Sequence, residues 1–444
     1  MVLEQTKEYL VGEKIMGFNQ DRIITTLQKK EIEKIRSLSN KERALRFDGF
    51  AVTNENDKII FEDKKRYSQH FFPLSVVDYA NALYNFERFN QQIPILSVDS
   101  HDELKCDFRC QDCLSAHGTN FPITNFPKGN FNMDLEEYKQ ILKSITDYSK
   151  KRGFTGVRFE QSGEGNPDFY KYRQQILRYA KELQMQGVYV STGSKINRSL
   201  MEALVENSSF IRISFPGIGK SYQEYSKQKT FTYKDSINNL KKIVKERDRF
   251  GRIRELMIGV RVALREKHGD SYFAFADNLK KIGIDSLQIV KILVPEGKKP
   301  SDFPLANSDR DDLEKVTALE DTKFNVSLPH NLDYMVYSRE IENRTEFPSK
   351  CFSAIFQPVL TGKSLFVCTI SDIMYNSNLR LGTFAGKEGE LERFLSFENI
   401  KKITQGIPQN CKCCSNLYDN TLLFSLQKLF RANPGKLNFY EIIK

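Results

Sequence analysis

The stretch Ile93-Pro94-Ile95-Leu96-Ser97-Val98, followed eight residues on by Cys106-Asp107-Phe108-Arg109-Cys110-Gln111-Asp112-Cys113, decides how the rest of the chain is read. An apolar run of that length, bounded by polar residues, has the pattern of a buried strand. Similar runs return at 156–161, 188–192, 210–214, 257–263 and 286–292, each separated from the last by an amphipathic stretch. Strands alternating with helices in this way imply successive βαβ units and a parallel sheet. The expected fold class is α/β, a partial (β/α)6 TIM-type barrel over residues 93–330. In such sheets ligands bind beyond the carboxyl ends of the strands, and the cysteine triplet follows the first of them.

The intervening helices carry start and stop signals. Asp134 with Glu137 three residues later predicts a capping box around Leu135. Phe169, Tyr172, Ile176, Tyr179 and Leu183 predict the buried stripe of a helix that Gly187 would end.

Residues 1–92 read as a mixed accessory region. Ile23, Ile24, Leu27, Ile32 and Ile35 fall at helical spacing, as do Val76, Tyr79, Ala80, Leu83 and Phe86. Between them, 50–52 and 59–61 flank the polar Asn54-Glu55-Asn56-Asp57, a hairpin pattern. Residues 331–444 read as a small cysteine-rich module, with a hairpin formed by 354–360 and 364–369 about Thr361-Gly362-Lys363 and a helix near 422–430.

Hydrophobic residues make up 40% and charged residues 28% of the 444, which excludes wholesale disorder and fibrous or disulfide-scaffold classes. The excess of 67 basic over 57 acidic residues gives a formal +10 and would suit an anionic partner. The lysines are spread over amphipathic stretches such as 239–245, so no nucleic-acid partner is expected. No window reaches the roughly 18 consecutive apolar residues of a membrane helix, and no membrane partner is expected. Met1-Val2-Leu3-Glu4-Gln5-Thr6-Lys7 lacks the plan of a secretory signal, which makes the cytoplasm the expected compartment.

All eight cysteines fall into two groups: Cys106, Cys110 and Cys113, spaced C-x3-C-x2-C, and Cys351, Cys368, Cys411, Cys413 and Cys414. Thiols this close in a reducing compartment point to metal. Three on one loop can hold an iron-sulfur core with one iron left open to another ligand. His117 keeps an alternative in play, since with the three cysteines it could close a tetrahedral zinc site.

With its triplet after the first strand and Ser162-Gly163-Glu164-Gly165-Asn166-Pro167 after the second, the sequence resembles the radical SAM enzymes over about residues 93–320. In that family the triplet holds a [4Fe-4S] cluster bound to S-adenosylmethionine, and a Gly-Gly-Glu motif contacts the amino group of the cofactor. The resemblance thus assigns the cluster to Cys106, Cys110 and Cys113 and the cofactor to Gly163 and Glu164. Ser162 stands where the family has its first glycine, and Asp112 where an aromatic residue often precedes the last cysteine. The resemblance further places Ser191, in Val190-Ser191-Thr192-Gly193-Ser194, near the ribose and Ser214, in Ile211-Arg212-Ile213-Ser214, near the methionine carboxylate. The family's usual arginine in the next helix has no clean counterpart, with Lys227 or Lys229 as substitutes.

The C-terminal cysteines resemble the twitch form of a SPASM-type extension, with Cys351-x10-Gly362-x5-Cys368 as its hairpin. That likeness implies one auxiliary [4Fe-4S] cluster on Cys351, Cys368, Cys411 and Cys414, with Cys413 spare; a four-cysteine zinc ribbon is the alternative. What the family implies is reductive cleavage of S-adenosylmethionine to a 5′-deoxyadenosyl radical and hydrogen abstraction from a substrate C–H bond. The electron would come from an external one-electron donor such as flavodoxin or ferredoxin. The single auxiliary cluster suggests an oxidoreductase carrying out dehydrogenation or epimerisation of a small polar metabolite such as a sugar or cyclitol. A peptide maturase acting on a ribosomally made precursor is the second expectation, and a zinc-stabilised binding protein the third.

Overall fold

In the computed structural model the described residues are 94–103, 105–110, 113, 133–152, 154–163, 165–265, 270–293, 299–329, 332, 334–337, 357–366, 380–396 and 398–399, with backbone strands at 24–26, 50–55 and 58–63. The three N-terminal strands, β1 (Ile24–Thr26), β2 (Phe50–Glu55) and β3 (Lys58–Asp63), form a sheet in the order β1-β3-β2. β2 and β3 make the expected hairpin, with Glu55 opposite Lys58. At Ile24 the helical expectation is corrected, because Ile24 to Thr26 pair antiparallel with β3. Four β-branched residues in a row, Ile23-Ile24-Thr25-Thr26, favour extended backbone over the helix that the spacing alone suggested. The second amphipathic stretch, 76–86, lies outside the described residues.

The barrel strands are β4 (Ser97–His101), β5 (Arg158–Ser162), β6 (Gln186–Ser191), β7 (Phe210–Phe215), β8 (Met257–Ala263) and β9 (Ser286–Val290), all parallel and in sequential order. The first strand starts later than the apolar run predicts. Pro94 has no N–H for a ladder, and pairing instead continues into Asp99, Ser100 and His101. Between strands lie α1 (Leu135–Lys150), α2 (Arg173–Glu182), α3 (Arg198–Asn207), α4 (Gly219–Ser226), α5 (Tyr233–Arg249) and α6 (Tyr272–Ile282).

Helix α1 starts where the sequence indicates. The Asp134 side chain accepts from the N–H of Glu137 at 2.8 Å, satisfying a donor the helix cannot, a cap typically contributing about 1 kcal/mol. Its Tyr138, Ile141, Leu142 and Ile145 are buried against the sheet. In α2 the buried face is Arg173, Ile176, Leu177 and Ala180, so of the expected stripe only Ile176 is fully covered. Gly187 does not end that helix. It lies inside β6, and the left-handed residue of the turn is Gln184, at φ 62°.

The sheet is wider than six strands. After a short 3-10 turn at Pro300–Asp302 and α7 (Asn307–Thr317), a three-residue strand, β11 (Asn325–Ser327), adds parallel to β9. A separate two-stranded ladder pairs β10 (Ile292–Leu293) with β12 (Val336–Tyr337). On the other edge the C-terminal hairpin forms from β13 (Val359–Thr361) and β14 (Ser364–Phe366), with Gly362 at φ 54° in the two-residue turn that requires a positive φ. β13 runs parallel to β4, and β15 (Arg380–Thr383) pairs with β14, giving ten strands in one sheet. A short helix, α8 (Glu390–Phe394), follows.

Alternation divides the barrel strands into two faces. Ile211, Ile213 and Phe215 of β7 and Ile258, Val260 and Val262 of β8 belong to the large core between sheet and helices. Phe210, Val188 and Met257 form a second, inner cluster with Val190, which floors the barrel at the strand starts. Gly259 makes room for that floor, since a Cβ there would stand 2.8 Å from the Phe210 ring. Among the described residues no helix is long and apolar enough to cross a membrane. The expected helix near 422–430 lies outside them.

Candidate functional site

The cysteine loop begins where β4 ends. Asp102, the first residue after the strand, is buried and gripped from the start of α2 by Arg173, Nη1 to Oδ2 at 2.8 Å and Nη2 to Oδ1 at 2.5 Å. The Tyr138 hydroxyl donates to the same carboxylate at 2.8 Å, and Arg173 Nε donates to the carbonyl of Pro167 at 2.9 Å. A bidentate guanidinium fixes direction as well as distance. The end of β4, the turn after β5 and the start of α2 are thereby held together.

The loop is then pinned along its length. The Asn166 N–H donates to the Lys105 carbonyl at 2.7 Å, and the Arg109 N–H to the Ser226 carbonyl at 2.8 Å. Asp107 accepts from Ser194 Oγ at 2.9 Å through Oδ1 and from Gln228 Nε2 at 3.2 Å through Oδ2. Asn166 Nδ2 ties the second and third strand ends by donating to Thr192 Oγ1 at 2.9 Å and Ser194 Oγ at 3.1 Å. Phe108 points inward, only 3% exposed, edge-on to Tyr222 at 6.0 Å and tilted against Phe231. Cys106, Cys110 and Cys113 are left half-buried, and none is in a disulfide. Asp112 lies outside the described residues; Phe108 supplies aromatic packing beneath the loop.

The chemistry of the donor set, three thiols on one loop, fits an iron-sulfur core with one iron left open. A structural zinc needs four donors converging on one point. Among the described residues no group of three or more His, Cys, Asp or Glu converges in that way, and His117 lies outside them. A polynuclear core spaces its thiolates apart, which suits three cysteines on one loop. Burial pushes the Cys106 thiol up to about 12, against a backbone hydrogen bond at Phe108 and with Asp107 and Cys113 adding to the rise. A metal bound there would supply the charge that offsets this cost and favours the thiolate.

Of the residues expected to meet the cofactor, Gly163 follows β5 directly, with φ 151° and its α-carbon facing His101, where a Cβ would come within 3.4 Å of the His101 backbone. Beside it, Ser162 Oγ donates to Asp99 at 2.5 Å and His101 Nε2 lies 3.2 Å from the same carboxylate. Glu164 lies outside the described residues, as do Cys351, Cys368, Cys411, Cys413 and Cys414. Ser214 is on the inner face of β7, in register with Arg261. Ser191 is buried and turned the other way. Its hydroxyl donates to Asp168 at 2.7 Å and accepts from the Gly193 N–H at 2.8 Å. Asp168 also accepts from Tyr189 at 2.6 Å, and its burial raises its pKa against these hydrogen bonds. Lys227 and Lys229 are exposed, and the side chain from this segment that reaches the cysteine loop is Gln228, 3.1 Å from the Asp107 carbonyl.

The sequence patterns missed Asp107, Asn166, Gln228 and Arg173 as loop-holding residues. Only Asn166 carried a local signal, since Asn before Pro favours a turn and its side chain caps the 3-10 turn Pro167–Phe169.

No family model and no curated protein matches the sequence. Solved structures do match in fold. The Streptococcus suis protein SuiB bound to S-adenosylmethionine superposes with a TM-score of 0.50 at 13% identity, over 73% of this chain and 71% of that one. SuiB bound to precursor peptide SuiA superposes with a TM-score of 0.50 at 14% identity, over 76% of this chain and 74% of that one. The likeness shows the fold, a partial TIM-type barrel.

Proposed function

We propose that this chain, which has the radical SAM fold, is an enzyme that holds a [4Fe-4S] cluster on Cys106, Cys110 and Cys113 and binds S-adenosylmethionine beside it. The observation that carries this is the pinning of a loop with three thiols, half-buried and none in a disulfide, at the carboxyl end of the first barrel strand. When bound, the cluster and cofactor would supply reductive cleavage to a 5′-deoxyadenosyl radical able to take hydrogen from an unactivated C–H bond.

The chain's own residues do the positioning. Asp102 and Arg173 fix the start of the loop, and Asp107, Ser194, Asn166 and Gln228 fix its course. Gly163 packs its bare α-carbon against His101 at a φ of 151°, and a ligand there would be met by its main chain. Glu164, the next residue, would accept a charge-assisted hydrogen bond from the ammonium of the cofactor. Ser214 stands on the inner face for the methionine carboxylate. With its hydroxyl committed to Asp168, Ser191 would act on the ribose side through the turn it braces, Thr192 to Ser194.

We assign an auxiliary [4Fe-4S] cluster to Cys351, Cys368, Cys411 and Cys414. Its support is the count of C-terminal thiols and the β13–β14 hairpin that falls between Cys351 and Cys368 in sequence. One auxiliary cluster suits an oxidoreductase acting on a small polar metabolite, with flavodoxin or ferredoxin as electron donor in the cytoplasm. A second substrate class, a precursor peptide, is supported by the likeness to SuiB, a structure of which holds precursor peptide SuiA.

Anaerobic reconstitution followed by iron and sulfide analysis tests the assignment. About eight iron atoms per chain are expected for two cubanes, falling to about four when Cys106, Cys110 and Cys113 are all replaced by alanine. A chain that takes up zinc and no iron would refute it.

A further inference from the structure

We propose that the barrel interior contains an anion-recognition site centred on Arg212, which holds a carboxylate or phosphate group of the substrate. This rests on the enzyme reading above, with the barrel as its chamber, and names a property of the substrate.

Arg212 lies in the middle of β7 on the inner face, since its neighbours Ile211 and Ile213 belong to the core on the other side. Beneath it is the apolar floor of Phe210, Val188 and Met257. Around it are the groups whose charges act on it: Arg261, Arg158, Glu160 and Asp99. Arg212 and these four amount to three guanidinium groups against two carboxylates. Both carboxylates already have partners. Glu160 Oε2 takes Arg158 Nη2 at 2.9 Å, while Asp99 takes Ser162 Oγ at 2.5 Å and stands 3.2 Å from His101 Nε2. Among the described residues Arg212 makes no hydrogen bond and no ion pair, and its Nε is buried without an acceptor.

A buried guanidinium so placed is unfavourable without an anion beside it. Burial, and then the like charge of Arg261, lower its pKa to about 10, which still leaves it charged at neutral pH. A carboxylate or phosphate set against Arg212 would give the orphaned Nε its acceptor and screen the repulsion from Arg261. The planar fork of arginine matches either anion.

Depth assigns the anion to the substrate and not to the cofactor. Ser214, the position expected near the methionine carboxylate, is two residues further along the same strand and face. At about 3.3 Å per residue, Arg212 therefore sits about 6–7 Å deeper than that layer, between it and the floor.

The test titrates inorganic phosphate, and acetate separately, into the reconstituted protein saturated with S-adenosylmethionine, by calorimetry at constant ionic strength with chloride as the control. Arg212→Met is expected to weaken binding of the anion by about tenfold or more while changing the affinity for S-adenosylmethionine by less than about twofold. Arg212→Lys keeps the charge without the fork and is expected to fall between the two; it also serves if the methionine variant does not fold. Anion binding equal to wild type in the variants, or no binding to wild type beyond that of chloride, would overturn the proposal. A tenfold loss of affinity for S-adenosylmethionine would overturn it as well, by giving Arg212 to the cofactor. The titration repeated on the chain without its clusters separates this proposal from the enzyme reading, because failure to take up iron leaves anion binding measurable.

Discussion

Ser194 Oγ donates to Asp107 Oδ1 at 2.9 Å, joining the loop of Cys106 and Cys110 to the turn after the third barrel strand, 87 residues away. Gln228 holds the other oxygen of the same carboxylate at 3.2 Å. Asp107 is therefore the point at which the cysteine loop is fastened to two separate segments of the barrel mouth.

Asp107→Ala removes both side-chain fastenings and leaves Gln228 only its contact with the main-chain carbonyl of residue 107. The expected cost is about 1–3 kcal/mol of local stability, seen as faster loss of iron from the reconstituted protein with an unchanged far-ultraviolet circular dichroism spectrum. Iron retention equal to wild type would show that the cysteines are positioned without Asp107.

Breaking the buried pair beneath the loop should reach the whole fold. Asp102 and Arg173 are 0% and 2% exposed in their side chains, so Asp102→Ala leaves a guanidinium buried and uncompensated. Urea denaturation should show a loss of about 3–5 kcal/mol, part of which is regained in the double variant with Arg173→Met. Additive losses in the double variant would mean that the two residues act independently.

One pH effect follows from a helix start. Hydrogen bonds from the Thr232 hydroxyl at 2.6 Å and the Thr232 N–H at 2.8 Å hold the Asp235 carboxyl below its usual value. The folded pKa is the lower one, so the stabilisation is complete above the unfolded value of about 3.9 and is lost as pH falls through the folded one. The difference in urea midpoint between wild type and Asp235→Ala should be constant from neutral pH down to about 5 and shrink below about 4. Because Asp235 is only partly covered the difference is small, and a midpoint gap that widened in acid would reverse the assigned sign.

How much of this was legible in the sequence depended on which contacts were local. Met257–Ala263 was readable to the residue, because its outward residues Ile258, Val260 and Val262 and its inner Met257, Gly259 and Ala263 make a small and apolar run interrupted only at Arg261. The first strand was not, because its inner face carries Asp99 and His101, polar residues that serve the chamber and disguise the strand. Asn325–Ser327 is too short for any period to register. Cys106, Cys110, Cys113 and Gly163 could be singled out because their spacing is itself the signal. Asp107, Asn166 and Gln228 could not, since their roles exist only once loops far apart in sequence meet. Arg212 looked like one polar residue in an alternating strand; that its Nε is buried without an acceptor among the described residues became visible only in the folded chain.

The most direct measurement is anaerobic incubation of the reconstituted protein with S-adenosylmethionine and dithionite, with chromatographic detection of 5′-deoxyadenosine. Wild type should release it, and the variant with Cys106, Cys110 and Cys113 all changed to alanine should not. Release from that triple variant, or none from an iron-loaded wild type, would contradict the placing of the reactive cluster on this loop.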